Sequence, residues 1–115
     1  MPTTVSVDVP YRGVQRAQWT GLVGDDTGDI ADMGRFRFWL TAQITGTFDG
    51  ETVSLEGSLD GSTFVPLTVD GSTALEATAD GIFHIYERVS FIRPVVSLDD
   101  GVVDVDVRVE GLAIT

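Results

Sequence analysis

The segment Val103-Asp104-Val105-Asp106-Val107-Arg108-Val109-Glu110 alternates without a break, valine at every odd position and a charged residue at every even one. A period of two is that of an extended chain with one face buried and the other in water, whereas a helix would scatter these valines around all its sides. Valine is also favoured on a pleated surface. The segment is therefore a strand whose valines face a core. The same period runs outward through the chain. Phe36, Phe38, Leu40, Ala42 and Ile44 alternate with Arg35, Arg37, Trp39, Thr41 and Gln43, and Val53 and Leu55 alternate with Thr52, Ser54 and Glu56. The segments 64–68, 73–78, 82–86 and 91–98 read as further strands. Pro66 and Pro94 mark edges or strand ends among them, because proline cannot donate to a ladder.

Asp-Gly recurs at 49–50, 60–61, 70–71, 80–81 and 100–101. This dipeptide tolerates the positive φ angles of a tight hairpin, and turns at such intervals mark a sandwich or barrel. No segment holds a helical period. The expectation is an all-β protein, an antiparallel β-sandwich of about seven to nine short strands connected as a meander. Residues 1–20 form an N-terminal arm or first strand, and 21–115 the sandwich domain. Within it, Gly21 to Gly34, rich in glycine and aspartate, reads as a long loop.

A chain of 115 residues buries one core and leaves no room for a second. Its 43% hydrophobic content argues against disorder. No apolar run approaches the roughly 18 residues of a membrane span, and the first residues lack the pattern of a secretory signal, so no membrane role is expected. Without cysteine there are no disulfides and no thiolate chemistry. The net charge of −11 repels phosphate, which argues against nucleic acid as a partner. The charge is unevenly spread. Residues 1–40 hold five acids and four arginines, and the remainder thirteen acids and three arginines.

Asp26-Thr27-Gly28 matches the active-site triplet of aspartic proteases, but it follows Val23-Gly24-Asp25 rather than a burying apolar strand, so a solvated turn is expected. Asp25, Asp26, Asp29 and Asp32 offer the hard oxygens that calcium prefers, without the alternate spacing of calcium loops. His84 lies inside an apolar segment and reads as structural. No activated serine motif is present, and nothing singles out a carboxylate pair. The expectation is a protein that is not an enzyme and needs no cofactor. Tyr11, Arg12, Arg16, Trp19, Arg35, Arg37 and Trp39 are the residues expected to make contacts, since arginine and large aromatics are enriched at interfaces. Trp39 should project outward beside Arg35 and Arg37.

The hairpin Val53-Ser54-Leu55-Glu56-Gly57-Ser58-Leu59-Asp60-Gly61-Ser62-Thr63-Phe64 resembles a pattern widespread in structural proteins of tailed bacteriophages. Phe91-Ile92-Arg93-Pro94-Val95-Val96 and the valine-rich last strand follow it in the same order. Trp19-Thr20-Gly21-Leu22 and Gly24-Asp25-Asp26-Thr27-Gly28 are similar to those proteins' Trp-x-Gly-Leu and Gly-Asp-Thr-Gly segments. The resemblance covers about residues 19 to 110 and implies a small β-sandwich of the virion, a decoration (cement) protein that binds and stabilises the outer shell. It implies the major capsid protein as partner, location on the capsid surface after synthesis in the host cytoplasm, and no catalytic residues. A homotrimer is expected at a capsid symmetry axis. The Gly-Ser-x-Asp-Gly-Ser-x-aromatic stretch also resembles a hairpin of discoidin-like sandwiches, so a carbohydrate-binding module is the alternative, as is a neck or tail component. On the charge distribution, the first 40 residues should face the shell and the acidic remainder solvent.

Overall fold

The computed structural model describes residues 3–97 and 103–113, and in these the chain is an antiparallel β-sandwich of ten strands. β1 (Val5–Tyr11) and β2 (Val14–Leu22) form a hairpin, followed by β3 (Ala31–Asp32), β4 (Phe38–Thr47) and β5 (Val53–Ser58). Then come β6 (Val65–Pro66), β7 (Glu76–Ala77), β8 (Gly81–His84), β9 (Phe91–Val96) and β10 (Asp104–Leu112). One sheet has the order β1-β2-β10-β4-β8, and the other β3-β9-β5-β6 with β7 also paired to β5. This corrects the meander: the chain changes sheets after β2, β3, β4, β7, β8 and β9, and β10, last in sequence, lies between β2 and β4. A period of two reports which face of a strand is buried and carries no information about its neighbour.

The core lies between the sheets. Val103, Val105, Val107 and Val109 are buried, as their alternation requires, with Leu40, Ala42 and Ile44 beside them on β4 and Ala17, Trp19 and Leu22 on β2. Val53, Leu55, Ile92 and Val96 face them from the second sheet. Each valine, leucine or isoleucine among them contributes roughly 1.5–3 kcal/mol through burial. The β1–β2 hairpin spans Val5 to Leu22, past the expected boundary at residue 20, with β2 in the sheet interior, and the stretch 21–34 is shorter as a loop than its composition implies.

Pro94 stands in β9 with β5 on one side and β3 on the other. Ladder donors alternate in direction along an antiparallel strand. The Val96 N–H donates to Asp26 O on the β3 side, so by that alternation Pro94 turns its donorless nitrogen to the same side. There the Gly28 N–H donates to the Pro94 carbonyl at 2.9 Å, and regular pairing resumes only at Ala31.

The Asp-Gly pairs serve different geometries. Asp49 and Gly50 have φ of 48° and 84°, the double positive φ of a primed turn, but this turn carries the chain from β4 in one sheet to β5 in the other and closes no hairpin, because the two strands do not pair. Asp80-Gly81 opens β8, where the chain crosses to the larger sheet, and Asp80 Oδ1 accepts from the Gly46 N–H at 2.9 Å. Asp100-Gly101 lies outside the described residues. The remaining two pairs repeat one construction. The Ser58 and Thr68 hydroxyls accept from the N–H of Gly61 and Gly71, both at 2.9 Å. Asp60 accepts from the Ser62 and Thr63 amides, Asp70 from those of Ser72 and Thr73. The Thr63 and Ser62 amides and the Ser58 hydroxyl hold the Asp60 carboxyl at about 2, and the Thr73 and Ser72 amides with the Thr73 hydroxyl do the same for Asp70. Because both are depressed in the folded state, their stabilising contribution is complete above the ordinary value of 3.8 and is lost as pH falls from there through 2. A carbon-detected NMR titration should place both carboxyls near 2, and an ordinary value for either would mean that its turn is not formed in solution.

Candidate functional site

The strand directions give the sandwich, which measures 45 × 29 × 26 Å, two chemically distinct ends. Leu112 pairs with both Val14 and Phe38, so the start of β2, the start of β4 and the finish of β10 lie together. Asp104 pairs with Thr47 at the other end. That second end gathers exposed acids: Asp25, Asp49, Asp80 and Asp104, with half-buried Glu51. The first end gathers arginines and aromatics. Arg12 sits in the β1–β2 turn, Arg35 and Arg37 lie just before β4, and Arg88 follows β8, all exposed. Tyr11, Trp39 and Tyr86 are 67%, 64% and 57% exposed at the same end, large values for aromatics in a protein with an otherwise closed core.

The arginines elsewhere are engaged. Arg16 pairs with Glu110 at 2.8 Å and Arg93 with Glu56 at 2.9 Å, while Arg108 donates to Gln18 at 3.2 Å. Arg12, Arg35, Arg37 and Arg88 make no ion pair among the described residues. Arg88 lies over the Phe38 ring at 4.9 Å and the Trp39 ring at 5.9 Å, Arg35 over Phe36 at 5.3 Å, and Arg37 donates to Ser90 Oγ at 3.1 Å. These contacts hold the guanidinium groups in place while leaving donors unused.

Trp39 owes its exposure to a bulge. Between Thr41, opposite Glu110, and Phe38, opposite Leu112, β4 has two residues where β10 has only Gly111. Trp39 takes φ of 54° there, a left-handed conformation that costs a bulky residue about 1–2 kcal/mol. Strain of this kind is stored where the surrounding structure and a function require it. Between Trp39 and the 84–88 segment runs an open groove of about 450 Å³, lined also by Arg37, His84, Tyr86, Glu87 and Arg88. Glu87 is the acid of its lining, and both carboxylate oxygens are occupied, one by the Thr68 N–H at 2.7 Å and the other by the Thr68 hydroxyl at 2.6 Å.

Of the residues expected to make contacts, the fold brings Tyr11, Arg12, Arg35, Arg37 and Trp39 to this end. Trp19 is a correction: it is fully buried, its Nε1 donating to Asp29 O at 2.9 Å, because β2 is an interior strand whose odd positions face the core. Arg16 is half-buried in its pair with Glu110. Arg35 and Arg37 do not share a strand face with Trp39. Residues 34–36 form a 3-10 turn, started by Gly34 at φ 51° with its N–H donating to Asp32 Oδ1, and Phe36 and Phe38 are only half-buried. Arg88, Tyr86 and Leu112 join the surface from the part of the chain expected to face solvent. Charge therefore divides by the ends of the sandwich and not by the first 40 residues against the rest, with Asp25 of the first 40 residues at the acidic end.

Asp26-Thr27-Gly28 has a structural explanation. Asp26 is buried rather than solvated, its Oδ2 accepting from the Thr3 hydroxyl and its Oδ1 without a partner among the described residues. Thr27 bridges Val95, and a Cβ on Gly28 would stand 2.7 Å from both Trp19 and Pro94. The triplet thus closes the sandwich over Trp19. Asp25 and Asp32 are exposed, and among the described residues no three acidic or histidine side chains converge as a metal site. His84 is exposed at the rim of the groove, not in the core.

Fold and surface together define a small all-β sandwich with one cationic, aromatic end. No protein-family model matches the chain, and no curated protein sequence does. Among solved structures, the SPBc2 prophage-derived protein YomS is similar, with a TM-score of 0.57 at 12% identity over 90% of this chain and 100% of its own. A cupin domain from Bordetella pertussis Tohama I aligns at a TM-score of 0.47 and 12% identity, over 97% of this chain and 95% of its own, a likeness too slight to argue from. The likeness to the prophage protein is one of fold.

Proposed function

We propose that this chain is a non-catalytic structural protein of a tailed-phage virion, a decoration protein that docks on the outer shell with the arginine-and-aromatic end of its sandwich. The observation that carries the reading is the segregation of four arginines that make no ion pair among the described residues, together with Tyr11, Trp39 and Tyr86, at one end of a molecule of net charge −11. Pressing the acidic end against a shell would desolvate a cluster of like-charged carboxylates, whereas guanidinium groups and aromatic rings pair and pack well in an interface. The fold shared with a prophage-derived protein supports the same reading. The partner is the major capsid protein. Because one small domain offers a modest contact, association in threes about a symmetry axis would strengthen its hold by avidity.

Purified protein mixed with shells lacking it should co-sediment with them and raise their melting temperature. Arg37→Glu with Arg88→Glu should weaken that association at least tenfold, and Asp25→Asn should leave it unchanged. Binding to isolated necks or tails instead of shells would move the protein within the virion, and no binding to any of them would end the reading. The exposed indole of Trp39 favours a second reading, a carbohydrate-binding module that stacks a sugar on that ring. Reproducible glycan-array binding abolished by Trp39→Ala would favour it over decoration.

A further inference from the structure

The groove beside Trp39 is cationic in a protein that is elsewhere acidic. Its arginines, Arg37 and Arg88, are held by Ser90 and by the Phe38 and Trp39 rings rather than by a carboxylate. Glu87, in the same lining, has both oxygens engaged by Thr68 and is turned to a structural task. Trp39 keeps its ring at the mouth only by holding a backbone conformation that glycine would adopt without strain. Fixed guanidinium forks, an exposed indole and an open shape together match one kind of occupant.

We infer that this groove receives an extended acidic peptide segment, whose carboxylate side chains meet Arg37 and Arg88 while an apolar or aromatic neighbour packs on Trp39. The inference rests on the docking reading, in which the segment belongs to the shell subunit. Carboxylates suit this position because a guanidinium presents paired N–H groups that match the two carboxylate oxygens. The Trp39 ring at the mouth makes the contact partly desolvated, so the charge pairing is screened less by salt than at an open surface. The ring also supplies contact area at little conformational cost, since an indole has few rotatable bonds.

The test separates this inference from the docking reading by using a free peptide as well as shells. Two synthetic peptides, glycine-flanked Asp-Glu-Phe-Glu-Asp and its counterpart Asn-Gln-Phe-Gln-Asn, are titrated into the isotopically labelled protein and followed by amide NMR shifts. The acidic peptide should perturb Trp39, Arg37 and Arg88 and bind at least tenfold more tightly than the amide peptide. Arg88→Gln should remove that preference. Trp39→Gly should weaken binding at least tenfold while the unfolding midpoint holds or rises, because glycine relaxes the bulge. Equal binding of the two peptides, shifts mapping elsewhere, no binding, or tighter binding of an acidic oligosaccharide would overturn the inference. If the wild-type protein takes the acidic peptide but ignores shells, the docking reading fails and the groove stands. If it binds shells and Arg88→Gln and Trp39→Gly bind them as well, the groove fails and the docking reading stands.

Discussion

Trp19→Ala is expected to lower the unfolding free energy by roughly 3–5 kcal/mol, the usual cost of truncating a large core aromatic. The indole is fully buried, rests against Gly28 and is hydrogen-bonded through Nε1 to Asp29 O. Its removal opens a cavity between the sheets and leaves that carbonyl without its partner. A small domain has only about 5–15 kcal/mol in total, so the variant should lose a large share of its stability. Trp19→Phe keeps most of the ring and loses the donor, and should fall between the two proteins. Trp39→Ala is the control, because an exposed ring contributes little burial. Urea unfolding followed by circular dichroism measures all three. A loss below about 1 kcal/mol for Trp19→Ala would mean that β2 does not face the core as described.

Gly111→Ala should be comparably damaging for a different reason. A Cβ at this position would stand 1.9 Å from the Phe36 carbonyl oxygen and 2.8 Å from Leu40 Cδ2, and the nearer atom is backbone, which cannot swing aside. Either β10 leaves β4 or the 34–36 turn moves outward. Overpacking usually costs 1–3 kcal/mol, and a clash with backbone should reach the top of that range or exceed it, so roughly 3 kcal/mol is expected. Gly111 also faces the bulge that presents Trp39, so the damage should extend to docking. The same unfolding measurement checks the first expectation, and co-sedimentation at a temperature where the variant stays folded checks the second. An alanine tolerated within about 0.5 kcal/mol would show that the turn does not cross β10 so closely.

Which residues become accessible depended on the strands' neighbours as much as on their own pattern. Trp19 and Trp39 both stand beside arginine and polar residues, and on that basis they looked alike as contact residues. A signal was available for Trp19, because Ala17 and Trp19 alternate with Arg16, Gln18 and Thr20 as β2 requires. Arg88 had no such signal. It lies far along the chain from Phe38 and Trp39 and reaches them only because β8 pairs with β4, with Thr41 opposite His84. Asp26 likewise had the composition of a solvated turn, and it is buried because Thr3 and the Val95–Val96 backbone close over it.

The amino-acid sequence by itself determined that the chain is built of strands and which face of its long strands is buried, as the four valines of the last strand show. Those properties are local: alternation along a strand is set by the pleat and needs no knowledge of the rest of the chain. Pairing, sheet membership and the two ends of the molecule were decided by the tertiary structure alone. Inserting β10 between β2 and β4 buries its valines on one face, and a strand with the same pattern could do so in several places. Only that insertion sets Leu112 beside Val14 and Phe38, and with the pairing of β8 to β4 it gathers arginines and aromatics from three parts of the chain into one surface.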